Sequence, residues 1–214
     1  VVVDADIGLA NLQVLFDVKP AFTLYDYIDR KASLKEVLLK TQYKNVDLCA
    51  GKSGYKYASN KSSFVYSQII KDIIALDMYD IVLVDTGAGI NEYVQEFLAI
   101  SDEIIGITTT DPSSITDLYA VMKLIALSKK ELYLIFNETH SYKAGETITK
   151  SLRELALKNS LPKNFMVKYL GNVISDKNIS TCSRTKTLFV KEYNYLASSV
   201  CLNEIVTKLL KEIK

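Results

Sequence analysis

Asp4 and Asp6 stand two residues apart at the end of the apolar run Val1-Val2-Val3. In an extended chain that spacing puts both carboxylates on one face. One could help to bind Mg²⁺ while the other orients an attacking water; the alternative is a solvated strand end. Asp85 follows four apolar residues, Ile81-Val82-Leu83-Val84. A carboxylate at such a strand tip can hold Mg²⁺, usually through water, beside the phosphates of a nucleotide. The plainer alternative is an Asp that caps the helix starting at Glu92. Gly87 and Gly89 come next, and without a Cβ they would let backbone amides approach a terminal phosphate. Two acidic strand tips in one sheet favour a metal–phosphate site.

Gly51-Lys52-Ser53 also follows a strand and looks like the tail of a phosphate-binding loop. That motif needs G-x-x-x-x-G-K-[ST], and Val46, inside the strand, stands where its first Gly should be. Gly54-Tyr55-Lys56-Tyr57 is a poor helix start, so no helix dipole would face a phosphate. The residues given therefore contain no phosphate-binding loop. His140 has no second His or Cys beside it, so a metal role does not follow.

These residues need a scaffold that collects strand tips. Apolar, β-rich runs predict strands at Val1–Asp4, Val46–Ala50, Ile81–Asp85, Glu103–Thr108, Leu132–Asn137 and Tyr169–Ile174. Most are continuously hydrophobic, which suits strands covered on both faces. Helical patterns lie between and after them, at Leu9–Phe16, Leu24–Arg30, Ser63–Leu76, Glu92–Ile100, Ile115–Leu127, Thr147–Asn159 and Tyr195–Ile213. The polar stretch Gly51–Ser62 reads as a long surface loop. Alternation of this kind predicts an α/β fold, a mostly parallel β-sheet with helices on both faces, as one domain over residues 1–214. In such sheets ligands gather at the carboxyl ends of the strands, where the acidic residues stand.

Composition narrows the class. The 26 Lys and Arg nearly balance 25 Asp and Glu, for a net charge of +1. That balance argues against nucleic acid as a partner, as does the scatter of the 14 Tyr, which form no stacking platform. Three widely spaced Cys suggest neither a disulfide framework nor a zinc site and read as small core residues of a cytoplasmic protein. The last stretch places Leu202, Ile205, Val206, Leu209, Leu210 and Ile213 at helical spacing, with Lys208, Lys211 and Lys214 on the polar side. It suits either a helix packed on the sheet or one lying on a membrane surface.

Three segments together resemble the MinD/ParA ATPases: Asp4-Ala5-Asp6-Ile7-Gly8-Leu9-Ala10-Asn11-Leu12, Asp85-Thr86-Gly87-Ala88-Gly89-Ile90, and the run from Asp111-Pro112 to Ala120. The stretch Ser114-Ile115-Thr116-Asp117-Leu118-Tyr119-Ala120 is most similar to the FlhG branch (also called YlxH or FleN), regulators of flagellar number and placement. Thr23-Leu24-Tyr25-Asp26-Tyr27-Ile28 resembles the segment after that branch's first switch, and the likeness runs through essentially the whole chain. The resemblance implies a P-loop NTPase fold with a deviant Walker A loop, and ATP and Mg²⁺ as ligands. By position it implies Asp6 on the attacking water, Asp4 supporting Mg²⁺ in the first switch, and Asp85 as the Walker B carboxylate. Gly8, Gly87 and Gly89 would line the nucleotide, Asn137 would read the adenine edge, and Asp176 falls near the adenine-side loop, where the family's Pro is missing. It further implies an ATP-dependent homodimer, recruitment from the cytoplasm to an anionic membrane surface, and as partners an FlhF-type GTPase and flagellar switch or transcription-regulator proteins. A division-site or DNA-partitioning ATPase, or a non-catalytic scaffold of the same fold, are the rival readings. The family's Gly-rich, Lys-bearing loop is expected upstream of Val1, and a membrane anchor beyond Lys214.

Overall fold

The computed structural model describes residues 1–6, 9–53, 65–128 and 131–213. Most of the expected surface loop over residues 51–62 lies outside them. The described residues group into two compact units, Val1–Ile100 and Ser101–Lys214.

The first unit holds a four-stranded sheet in which β1 (Val2–Ala5) is central. β1 runs parallel to β3 (Asp47–Cys49) on one side and to β4 (Leu83–Thr86) on the other. Period-two alternation points Val1, Val3 and Ala5 into a core with Leu24, Tyr25, Ile69, Ile73 and Phe97. Those partners come from α2 (Leu24–Ile28), α4 (Val65–Ala75) and α5 (Glu92–Ile100). In α4 the buried residues Tyr66, Ile69, Ile70 and Ile73 keep the spacing of one helix face. Thr23 and Asp26 form a capping box that starts α2, and Arg30 at φ 59° turns the chain away after its end.

One strand was not expected. β2 (Leu38–Lys40) pairs antiparallel with β3 at the sheet edge, directly after the single turn α3 (Leu34–Val37). Three residues, Leu-Leu-Lys, carry too little periodicity to be read as a strand. Lys40 is held there by the Asp47 carboxylate at 2.7 Å, which also accepts the Tyr79 hydroxyl at 2.7 Å. The helix expected over Leu9–Phe16 shrinks to one turn, α1 (Leu12–Leu15), because the stretch before it is folded as a loop around Asp4.

The second unit is wholly parallel in the order β5 (Ile105–Thr108), β6 (Glu131–Thr139), β7 (Met166–Ile174). Tyr133 and Ile135 face a cluster with Leu170, Val173 and Ile205. Leu132, Leu134 and Phe136 point the other way and are also buried. There Gly106 and Gly145 let Leu134 and Phe136 approach closely, with Leu118 alongside. Helices thus cover both faces: α10 (Ala197–Glu212) on one, and α6 (Pro112–Ile125) and α7 (Ala144–Lys158) on the other. α6 starts three residues before the expected Ile115, since Asp111 is its N-cap and Pro112 its first residue. Two further helices, α8 (Lys177–Thr185) and the short α9 (Phe189–Glu192), join β7 to α10. β5 pairs with β6 alone and β4 with β1 alone, so each is an edge strand of its sheet among the described residues.

Candidate functional site

The site is built from two strand tips. Asp4 lies one residue before the end of β1 and is 1% exposed. Its register partner across the ladder is Asp85 of β4, so the two carboxylates mark the carboxyl ends of neighbouring parallel strands. Asp6 follows two residues later, at the start of the loop that leads to α1.

Asp4 organises that loop. Its Oδ2 accepts the Leu12 amide at 3.0 Å, and its Oδ1 accepts the Asp6 amide at 3.4 Å. A carboxylate that collects backbone amides across eight residues acts as a staple at the root of the loop. Asp6 in turn accepts the Leu9 amide at 3.1 Å. Its side chain lies against Gly87, where an added Cβ would come within 2.9 Å of Oδ1 and 3.6 Å of the Tyr93 hydroxyl. Gly87 is therefore required for close approach: the acidic loop and the turn after β4 share that space. Gly89 has φ +95° and open space where a side chain would be, which only glycine adopts without strain.

The electrostatics follow from this crowding. Burial, above all, pushes the Asp4 carboxyl above its usual range; the Leu12, Asp6 and Asn11 amides oppose that shift, and the Asp6 charge adds to it. Asp85 is also raised, first by desolvation and then by the charges of Asp4 and Asp6. The tips of β1 and β4 thus hold excess negative charge, which a cation would relieve. Among the described residues no group of three or more His, Cys, Asp or Glu is arranged to hold a metal. An Mg²⁺ here would lean on one or two carboxylates and complete its shell with waters and phosphate oxygens. That is its ordinary habit at nucleotide sites, and the donor set fits it.

The remaining expected residues fall as follows. Gly8 lies outside the described residues. Asn137 sits in β6 within the register shift between Phe136 and Thr139, beside Glu138 at φ 54°. The strand does not stop at Asn137, as the sequence suggested, but continues through this bulge, a feature that re-aims a side chain. Asp176 is the N-cap of α8: its carboxylate accepts the Asn178 amide at 2.8 Å, the Asn178 side-chain amide at 3.0 Å and the Ser198 hydroxyl at 3.1 Å. It fixes the turn after β7. Asn137 and Asp176 belong to the second unit, whereas Asp4, Asp6, Asp85, Gly87 and Gly89 belong to the first.

Sequence reasoning passed over two neighbours of the acidic loop. Gly51 and Ser53, dismissed as a false phosphate loop, lie directly against it. Tyr93 brings its hydroxyl to the Gly87 turn. A Gly two residues past the end of β3, level with the other strand tips, was the available signal for the first; nothing in the sequence marked Tyr93.

No protein-family model matches the chain. It is 35% identical over 193 residues to the flagellum site-determining protein YlxH of Helicobacter pylori, covering 89% of this chain and 64% of that protein. It is 25% identical over 209 residues to the antiactivator FleN of Pseudomonas aeruginosa, covering 96% of this chain and 73% of that protein. The chain thus spans less than two thirds of the length of the first of these relatives. The solved structure of the septum site-determining protein MinD from Pyrococcus horikoshii, complexed with Mg-ADP, superposes with a TM-score of 0.79 at 21% identity. That match covers 97% of this chain and 82% of that one. The chain thus shares the fold of MinD, and its sequence is similar to those of the flagellum site-determining protein YlxH and the antiactivator FleN.

Proposed function

We propose that the protein is a MgATP-binding and hydrolysing dimerisation switch that controls the number and placement of bacterial flagella at the membrane. The observation that carries this reading is the pairing of Asp4 with Asp85 across the β1–β4 ladder, with Asp6 lodged against Gly87. Two carboxylates raised by burial and by neighbouring carboxylate charge, at strand tips in a fold shared with a Mg-ADP-bound protein, suit a metal–nucleotide site.

In this reading Asp85 holds the metal, partly through water. Asp4 supports it and fixes the loop that carries Asp6, and Asp6 accepts a hydrogen bond from the attacking water, polarising and aiming it. Gly87 and Gly89 give backbone access to the nucleotide, and Gly8, Asn137 and Asp176 are assigned to it by their places in the family's motifs alone. Mg²⁺, when bound, supplies positive charge for the phosphate oxygens. Residues 1–214 act as one MinD-like domain, and hydrolysis requires that the full-length protein carry the family's phosphate loop. The ATP-bound homodimer is the signalling state, and hydrolysis resets it. The protein is cytoplasmic and meets an anionic membrane surface, an FlhF-type GTPase and flagellar switch or transcription-regulator proteins. No described helix is long and apolar enough to cross a membrane.

The test is calorimetric titration of the full-length protein with ATP, with and without Mg²⁺. Wild type should give Mg²⁺-dependent heat, and Asp85→Asn should bind MgATP at least about tenfold more weakly. Wild type without any Mg²⁺-dependent heat would leave only a non-catalytic scaffold.

A further inference from the structure

We infer that the exit of β3, residues Ala50 to Ser53, is a two-point mount that positions the acidic loop for catalysis. This inference rests on the ATPase reading above for its functional consequence. The segment between β1 and α2 carries Asp6, yet among its described residues it holds only the single turn α1 and exposes Leu9, Val14 and Leu15. Both of its ends are held by the β3 exit. At the near end the Ser53 hydroxyl donates to the Ala10 carbonyl at 2.7 Å. Gly51 packs there so closely that an added Cβ would stand 2.7 Å from both the Ala10 Cβ and the Asp4 carbonyl oxygen, and 3.2 Å from the Asp4 carboxyl carbon. At the far end the Ala50 carbonyl accepts the Leu24 amide at 2.8 Å, at the first residue of α2.

Only glycine can occupy position 51 without moving Asp4 or Ala10, since two of the three close atoms belong to backbone or to a short, stiff side chain. Asp4 is the staple for Leu12 and for the Asp6 amide, so a shift of Asp4 carries into the direction of Asp6. Ser53 performs the complementary task, tying down the one loop carbonyl that also accepts the Gln13 side-chain amide at 3.3 Å. Neither Gly51 nor Ser53 needs to touch nucleotide. They are positioning residues, and an Asp6 placed about 1 Å away is enough to cost a large part of the rate.

The test uses Ser53→Ala, Ser53→Thr and Gly51→Ala in the full-length protein, read by amide hydrogen exchange and by ATP turnover. Ser53→Ala should speed exchange at the Leu12 amide about three- to tenfold, the worth of one hydrogen bond, and leave Val3 in β1 unchanged. It should lower kcat by a similar factor with MgATP affinity within about twofold, and Ser53→Thr, which keeps the hydroxyl, should restore both. Gly51→Ala should do the same to a larger degree. Unchanged exchange at Leu12 in both Ser53→Ala and Gly51→Ala would overturn the mount. Faster exchange with undiminished kcat would overturn its catalytic role. A wild type that hydrolyses no ATP would instead sink the ATPase reading, while exchange at Leu12 would still decide whether the mount exists.

Discussion

In its proposed role Asp85 serves metal binding at the expense of stability. Its carboxyl is raised by burial and by the charges of Asp4 and Asp6. A raised carboxyl binds its proton more tightly in the folded chain than in the unfolded one. Between the ordinary carboxylate range and the raised value, stability therefore falls as pH rises, and above it the cost is fully present. Replacing the charge should remove that cost. Asp85→Asn should leave the nucleotide-free protein as stable as wild type or raise its Tm by about 1–2 °C, since solvent on the open side screens the repulsion. The same variant should lose the rise in Tm that MgATP gives wild type. Differential scanning fluorimetry across pH checks both, and in wild type the MgATP-dependent rise should fade as the pH drops into the raised range. Gly87 makes the converse point. Gly87→Ala would set a Cβ 2.9 Å from the Asp6 Oδ1 and should lower kcat by about tenfold or more, seen in a steady-state assay. The acidic residues were readable in the sequence because charge at the end of an apolar run stands out. The staple role of Asp4, and Gly51 and Ser53 beneath the loop, were not readable. They depend on which loops fold back against β1, a matter of tertiary contact between positions more than forty residues apart.

The secondary-structure elements divide in the same way. Long, strongly apolar strands and the periodic helices α4, α5, α7 and α10 follow from pattern alone. Short pieces fixed by neighbours do not: β2 exists because β3 lies beside it, and α8 because Asp176 caps it. Asp176→Ala should lower stability by about 1 kcal/mol through the lost cap, a shift of roughly 2–4 °C in Tm. If Asp176 also serves the nucleotide base, the variant loses ATP affinity in addition, and calorimetry separates the two effects. α10 settles how its apolar stripe is used in this chain. Ile205 and Cys201 are buried, and Leu202 and Leu209 pack with them on the cluster around Tyr133 and Leu170, so the inner face is a core face. Val206, Leu210 and Ile213 stay exposed on its flank. Ile205→Ala, beside Gly171, should cost about 2–4 kcal/mol in urea unfolding, as expected of a core cavity.

At the scale of the whole chain, the residues proposed to handle metal and water gather at one end of the β1–β4 pair. The sequence has no G-K-x-x-x-G-K-[ST] run. β4 and β5 are edge strands, and Leu83 is 50% and Ile107 68% exposed on them, unusual for residues of this type in strands. The near-neutral charge, 26 basic against 25 acidic residues, argues against DNA as a partner. The central claim is that Asp6, held by Asp4 and Gly51 and lodged on Gly87, directs the attacking water. Single-turnover hydrolysis of bound ATP by full-length Asp6→Ala tests it. The account predicts that the variant binds MgATP within about twofold of wild type while hydrolysing it at least roughly a hundredfold more slowly. Hydrolysis at the wild-type rate would contradict it.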